Sequence, residues 1–243
     1  MKISQITYTG FGGLGSVVFS LLSADASRQH QWSIGFIGDQ PLDASYPQRC
    51  QDHGVDFAAF QSTSGKPFRA WSALARWLAQ NRPDAVICHP INSILACRWY
   101  AWRHGARLVA VEHTPNQVKT RNEWVFSRLA MMLADRVVVL TPEYRDELRR
   151  AHGWLFHSSK VAVVPNGIDT AAYRPAAVPC QELGRVLTLG MAARFSFSKR
   201  QDLLVAVLER LAVLRPALEV QLRFAGDGSE TERAATSTPP MPS

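Results

Sequence analysis

The chain has 243 residues, 47% of them apolar and 19% charged; that suits one large α/β domain or one and a half ordinary ones and excludes disorder as the default state. Its 27 Lys and Arg against 20 Asp and Glu leave a formal charge of +7, which fits an acidic partner (a phosphorylated donor, an anionic membrane surface or nucleic acid) or a mildly basic soluble protein. Cys50, Cys88, Cys97 and Cys180 form no C-x-x-C pair and alternate with no histidine at ligand spacing, so neither a disulfide framework nor a zinc site is expected.

Lys2 followed at once by a β-prone run is not a signal peptide, and no stretch approaches the roughly 20 apolar residues of a bilayer span, so a cytoplasmic protein is expected. Ile3–Thr9 predicts a strand, the glycine-rich run after it a turn, and Ser16–Ala26 a helix. Strands are expected at Trp32–Ile37 and Val55–Phe60, then a helix over Pro67–Gln80. Pro83-Asp84 punctuates the chain before a strand at Ala85–Cys88, and a helix near Ile94–His104 leads to a strand at Arg107–Glu112. A helix over Asn122–Leu133 and a strand at Arg136–Leu140 follow. Strands separated by helix-length segments imply parallel β-α-β units with both sheet faces covered, so the fold class is α/β.

Lys160–Val164 is another short apolar run, ending in Pro165-Asn166-Gly167, and the stretch from Tyr173 to Pro179 is rich in Pro and Ala, as interdomain linkers are. A fresh β-α-β pattern opens beyond it: Val186–Gly190, a helix over Arg200–Leu214, and Val220–Phe224 ending in Gly226-Asp227-Gly228. After Ser229 the Ser-, Thr- and Pro-containing remainder has almost nothing to bury, so a disordered tail is expected. A second unit of two strands and one helix is too small to bury a self-sufficient core, and the chain reads as cut short.

Three places carry residues suited to chemistry. Gly10-Phe11-Gly12-Gly13-Leu14-Gly15-Ser16 stands between a strand and a helix, where backbone N–H groups can approach an oxyanion and the helix points its positive end at the same spot. Alone, the run fits a dinucleotide fingerprint with Asp39 as ribose ligand, a sugar-nucleotide phosphate site, or a tight turn with no ligand. His89 and His113 fall just beyond predicted strands, where α/β sites form, though each also suits a hydrogen-bonded loop histidine. Glu112, Thr114 and Asn116 make the surroundings of His113 polar and suited to hydroxyl recognition. In the run Gly190–Arg200, Arg194 and Lys199 would clamp a diphosphate and meet the negative charge that grows as it leaves; two unrelated solvated cations are the alternative.

The run Val163-Val164-Pro165-Asn166-Gly167-Ile168-Asp169, with Tyr173 and Pro175 after it, resembles the linker of family 4 glycosyltransferases. In that family the linker leads into a strand, a Gly and an Arg-x4-Lys pair, as Gly190, Arg194 and Lys199 do here, then a helix and a strand ending in a Gly-x-Gly turn like Gly226-Asp227-Gly228. Gly12-Gly13-Leu14-Gly15 is similar to the family's N-terminal glycine loop, and Ala134–Thr141 to its last strand before the linker. Pieces in this order favour a transferase over a dehydrogenase, which needs neither the hinge nor the second cation-bearing turn. The resemblance implies a GT-B architecture: a Rossmann-like, parallel-sheet acceptor-side domain over 1–165, a linker over 166–183, an incomplete second Rossmann-like, donor-binding domain over 184–229, and a disordered tail over 230–243.

It further implies transfer of a sugar from a nucleotide-diphospho-sugar to an acceptor hydroxyl, with retention, without a cofactor or an essential metal, in polysaccharide or glycolipid synthesis. Arg194 and Lys199 would hold the diphosphate in a cleft. Backbone N–H groups at Gly12, Gly13 and Gly15 would assist the departing phosphate, His113 would contact the donor sugar, and His89 and Asn166 are additional site residues. The family's acidic Glu-x7-Glu pair has no counterpart, since Glu230 and Glu232 stand two apart in a polar tail. This polypeptide alone is therefore expected to be inactive or nearly so, and a non-catalytic ligand- or partner-binding fragment is the competing reading.

Through Cys180 the chain holds 19 Lys and Arg against 13 Asp and Glu. Phe68-Arg69-Ala70-Trp71 with Arg76-Trp77, Arg98-Trp99-Tyr100-Ala101-Trp102-Arg103, and Lys119, Arg121, Trp124 and Phe126 mix cations with large aromatics. Such faces either rest on an anionic membrane and present a carbohydrate or lipid-linked acceptor, or pack their aromatics on the sheet with the cations solvated. Nucleic acid is not expected as a partner, because no basic stripe or recognition module accompanies the charge.

Overall fold

The structure, a computed structural model, describes residues 1–25, 29–63, 67–114, 116–170, 173, 186–196, 199–226 and 228. The chain divides into two compact units, Met1–Tyr173 and Arg174–Ser243. Most of the expected linker, the expected tail and Cys180 lie outside the described residues.

In the first unit the elements run β1 (Lys2–Thr7), α1 (Gly13–Ala24), β2 (Gln31–Gly38), α2 (Ser45–His53), β3 (Asp56–Gln61), α3 (Phe68–Asn81), β4 (Ala85–Cys88), α4 (Ile94–His104), β5 (Arg107–Glu112), α5 (Arg121–Leu133), β6 (Arg136–Val139), α6 (Pro142–His152) and β7 (Val161–Val163). The strands form one sheet in the order β3-β2-β1-β4-β5-β6-β7, parallel at every pairing. Parallel neighbours need long crossovers, and the helices supply them while covering the sheet. Ile34 and Phe36 of β2 pack with Val18, Phe19, Leu22, Tyr46 and Cys50 from α1 and α2. Ile6, Val86, Leu108 and Val137 pack with Leu74, Leu78, Tyr100, Met131 and Leu148 from α3, α4, α5 and α6. The expected alternation of strand and helix is present, and the α/β class stands.

Two helices, α2 and α6, have no counterpart among the predicted elements. Each buries only two residues one turn apart, Tyr46 with Cys50 and Leu148 with His152, so the apolar periodicity that announces a helix is thin in both. What starts α6 is local chemistry: Thr141 caps it by accepting from the Tyr144 N–H at 3.1 Å, with Pro142 in the first helical turn. At the start of α5, Thr120 and Glu123 form a reciprocal capping box.

The second unit has β8 (Val186–Ala192), α7 (Gln201–Leu214) and β9 (Glu219–Ala225), with the two strands paired in parallel over seven residues. Among its described residues only Phe195, Gln201, Val205 and Val220 are buried, while Leu203, Val207, Val213 and Leu214 of α7 stand exposed. The fold is thus one complete parallel-sheet domain followed by an incomplete second. Among the described residues no helix is long and apolar enough to cross a membrane.

Candidate functional site

The strand order places β1 beside β4, and from that pair the chain winds outward in both directions. In open parallel sheets a crevice forms at such a switch point, beyond the C-terminal ends of the strands. The glycine turn leaves β1 there, His89 follows β4, and His113 follows β5, which pairs with β4.

Gly12 caps α1 in an extended conformation with no side-chain hydrogen bond. The N–H groups of Gly13, Leu14 and Gly15, the first helical residues, have no acceptor within the helix and carry its positive end. Gly13 opens on empty space. Gly15 is different: it is buried, and a Cβ there would land on the Tyr46 hydroxyl, which donates to the Gly10 carbonyl at 3.1 Å. The requirement for glycine at 15 is therefore helix packing. Asp39 accepts a 2.6 Å hydrogen bond from the Tyr8 hydroxyl.

His89 is buried, with Nε2 3.0 Å from Gln5 Oε1 and Nδ1 3.0 Å from His113 Nε2. Gln5 is anchored in turn, its Nε2 donating to the Val18 carbonyl at 3.3 Å. Burial, then the neighbouring His113, drives the His89 pKa down to about 3. Burial drives His113 down to about 4, against the opposing pull of the Glu112 carboxylate. In the unfolded chain both rings take up a proton near their ordinary pKa of 6.5. The unfolded state therefore binds more protons between about pH 6.5 and 4, and stability should decline as pH falls through that window. Each ring adds a slope of up to about 1.4 kcal/mol per pH unit. Urea melts from pH 8 to 4.5 check this; a midpoint flat across the window would contradict two neutral rings.

Glu112, at the end of β5, is buried at the centre of a polar cluster. Its Oε1 accepts from Ser127 Oγ at 2.6 Å, and its Oε2 lies 2.9 Å from Lys119 Nζ and 3.1 Å from the Tyr144 hydroxyl. That hydroxyl also lies 2.7 Å from the Thr114 carbonyl. Lys119 reaches Ser127 Oγ at 3.1 Å and faces the rings of Trp124 and Tyr144. His152 Nε2 sits 3.0 Å from Ser127 Oγ, while its Nδ1 is buried with no hydrogen-bond partner among the described residues. Burial and the Glu112 carboxylate push the Tyr144 hydroxyl well above its usual range, and burial lowers the His152 ring. This cluster ties β5, α5 and α6 together at the C-terminal end of β5, where His113 follows Glu112.

Lys119 corrects an expectation: grouped by sequence with surface cations, its ammonium is fully buried. Gln5, Ser127, Tyr144 and His152 carried no signal, because each is a common polar residue whose partner is remote in sequence. The aromatics divide. Trp71, Trp77 and Phe126 pack against the core, whereas Phe68, Trp99 and Trp102 are 71%, 52% and 71% exposed. Leu95, Trp99 and Trp102 follow one another at i, i+4 and i+7 on one face of α4, and α3 and α4 contain no acidic residue.

In the second unit Arg194 leaves the C-terminal end of β8 and Lys199 precedes α7; both side chains are exposed. The segment between is held from two sides. Gln201 Nε2 donates to the Arg194 carbonyl at 2.9 Å. A Cβ at Gly226 would land on the Ala193 carbonyl and one at Gly228 on the Phe195 carbonyl, so the turn after β9 must be glycine to lie against it. Asn166 is exposed, three residues beyond β7.

The profile of Glycosyltransferase Family 4 matches residues 11–172. No curated protein sequence matches the chain. Among solved structures, HepE of Anabaena in complex with UDP-glucose is 18% identical at a TM-score of 0.74, over 98% of this chain and 66% of that one. The lipopolysaccharide outer core galactosyltransferase WaaB, in its apo form, is 20% identical at 0.65, over 97% and 64%. The sucrose-phosphate synthase of Thermosynechococcus elongatus is 18% identical at 0.69, over 96% and 63%. The chain thus spans about two thirds of the length of these GT-B relatives. With two thirds of its own residues matched by the family profile, and its second unit opening the expected second domain, the chain belongs to glycosyltransferase family 4.

Proposed function

We propose that the chain derives from an enzyme that transfers a sugar from a nucleotide-diphospho-sugar to an acceptor hydroxyl. The observation that carries this, beyond family membership, is the Arg194-x4-Lys199 pair at the end of β8, on a backbone clasped by Gly226 and Gly228. A guanidinium and an ammonium there suit the two phosphates of a donor and the charge that accumulates as they depart. In the first unit, the N–H groups at Gly13 and Gly15 beside the Gly12 cap offer the same kind of stabilisation, and His113 meets the sugar. Retention follows if the departing phosphate oxygen takes the acceptor hydroxyl's proton on the face it leaves. No cofactor or metal enters this scheme.

UDP-glucose bound to HepE makes it the first donor to test. Calorimetry should detect its binding, and Arg194→Ala should weaken that binding about 10- to 100-fold, the loss of one charge-assisted contact of roughly 1.5–3 kcal/mol. Heat unchanged by the substitution would remove Arg194 from the site; no heat with any UDP or GDP sugar would favour a non-catalytic module. The 243-residue polypeptide should show no transfer at ordinary enzyme rates, because the described residues of its second unit form two strands and one helix where a donor domain needs a full sheet.

The exposed Leu95-Trp99-Trp102 stripe, flanked by Arg98 and Arg103, supports a peripheral contact with an anionic membrane face carrying a lipid-linked acceptor in polysaccharide or glycolipid synthesis. Binding to phosphatidylserine liposomes should be lost at high salt and on Trp99→Ala with Trp102→Ala. No binding at low salt would end that reading.

A further inference from the structure

The polar chain behind His113 determines which of its nitrogens carries the proton. The Val18 carbonyl can only accept, so the Gln5 amide turns its Nε2 toward it and its Oε1 toward His89. An acceptor 3.0 Å from His89 Nε2 places a proton on that nitrogen. A neutral His89 then has a bare Nδ1, which lies 3.0 Å from His113 Nε2, and the second proton must sit there. His113 Nδ1 is left with a lone pair, since the hydrogen bond His113 makes among the described residues runs through its Nε2. The reverse tautomers would set the Gln5 carbonyl oxygen against a lone pair, and protonating both rings would set two cations in contact inside the protein. Among the described residues the carboxylate beside His113 is that of Glu112, already engaged by Ser127, Lys119 and Tyr144.

We infer that Gln5 and His89 are positioning residues that hold His113 as a hydrogen-bond acceptor at Nδ1, so that it receives a sugar hydroxyl and does not donate to a phosphate. The identity of that hydroxyl rests on the sugar-transfer reading above; the tautomer rests on geometry alone. Phosphate recognition in the first unit then falls to the helix N–H groups at the glycine turn.

The full 243-residue chain, labelled with nitrogen-15 histidine, gives the readout through long-range proton–nitrogen correlations. Both His89 and His113 should be neutral Nε2–H tautomers from pH 8 down to pH 5. Gln5→Leu removes the acceptor and should switch both rings to Nδ1–H; Gln5→Glu, kept as the neutral acid by burial so that its hydroxyl donates to the Val18 carbonyl while its carbonyl oxygen accepts from His89, should keep them as they are. Added UDP-glucose should shift His113 Nδ1 as a new hydrogen bond arrives and leave Nε2 in place. An Nδ1–H tautomer on either ring of the parent chain, an imidazolium at His113 at pH 6, or bound donor with no change at Nδ1 would overturn the inference. Should Gln5→Leu fail to fold, the parent and Gln5→Glu spectra decide it. Failure of the transferase reading is a separate outcome: no donor binds, while the tautomers remain as inferred.

Discussion

Replacing Lys119 by Met should cost about 3–5 kcal/mol of stability, the range for stripping one partner from a buried ion pair. The ammonium lies 2.9 Å from Glu112 Oε2 with both side chains shielded from solvent, so its loss strands a carboxylate that water cannot reach. Ser127 and the Tyr144 hydroxyl remain as donors, but neither is charged. The double variant Lys119→Met with Glu112→Leu should recover much of the loss, because no charge is then left unpaired. Its hydroxyls still have outlets: Tyr144 on the Thr114 carbonyl at 2.7 Å, and Ser127 on His152 Nε2 at 3.0 Å. Chemical denaturation of both variants is the test. A single variant within about 0.5 kcal/mol of the parent, the ordinary scatter of surface substitutions, would mean that the pair is not buried as described.

The second large effect concerns the two units separately. Amides of β8 and β9 should exchange with solvent at least about 1,000-fold faster than those of β1 and β4, a gap of about 4 kcal/mol in local opening. In β1 every residue after Lys2 is buried, and neighbours flank it on both sides. In β8 the burial alternates between exposed and half-buried, and its only described sheet partner is β9. The ladder between them has seven paired positions, yet a two-stranded sheet under one helix hides too little apolar surface to offset the entropy of ordering it. Hydrogen exchange by mass spectrometry resolves the two regions. Equal protection would show that α7 and the strand pair have found cover for Leu203, Val207 and Val213.

Much of this architecture was legible as pattern. Alternating apolar runs and helix-length segments announced the parallel sheet, and β5 and α4 fall on the expected residues, Arg107–Glu112 and Ile94–His104. The glycine turn, the two strand-end histidines and the Arg194-x4-Lys199 spacing were visible because each is a short-range feature: a turn that needs no Cβ, or two cations a fixed number of residues apart. The same dependence on local pattern explains what was missed. Helices α2 and α6 bury two residues apiece, too few to write a period. Lys119 looked like one more surface cation beside Arg121, since nothing in its neighbours reveals which way an ammonium will turn.

Primary structure alone settled the class of fold and the motifs that mark the family, because periodicity, glycine punctuation and charge spacing are all written within a few adjacent residues. Only the folded chain decided which polar groups meet. Gln5 reaches His89 across 84 positions, and Ser127 joins Glu112 to His152 from three different elements. Those contacts exist because parallel pairing brings the ends of distant strands together in a place with little water, where each buried donor must find an acceptor. No local stretch of sequence can state that requirement, and it is the one that orients His113.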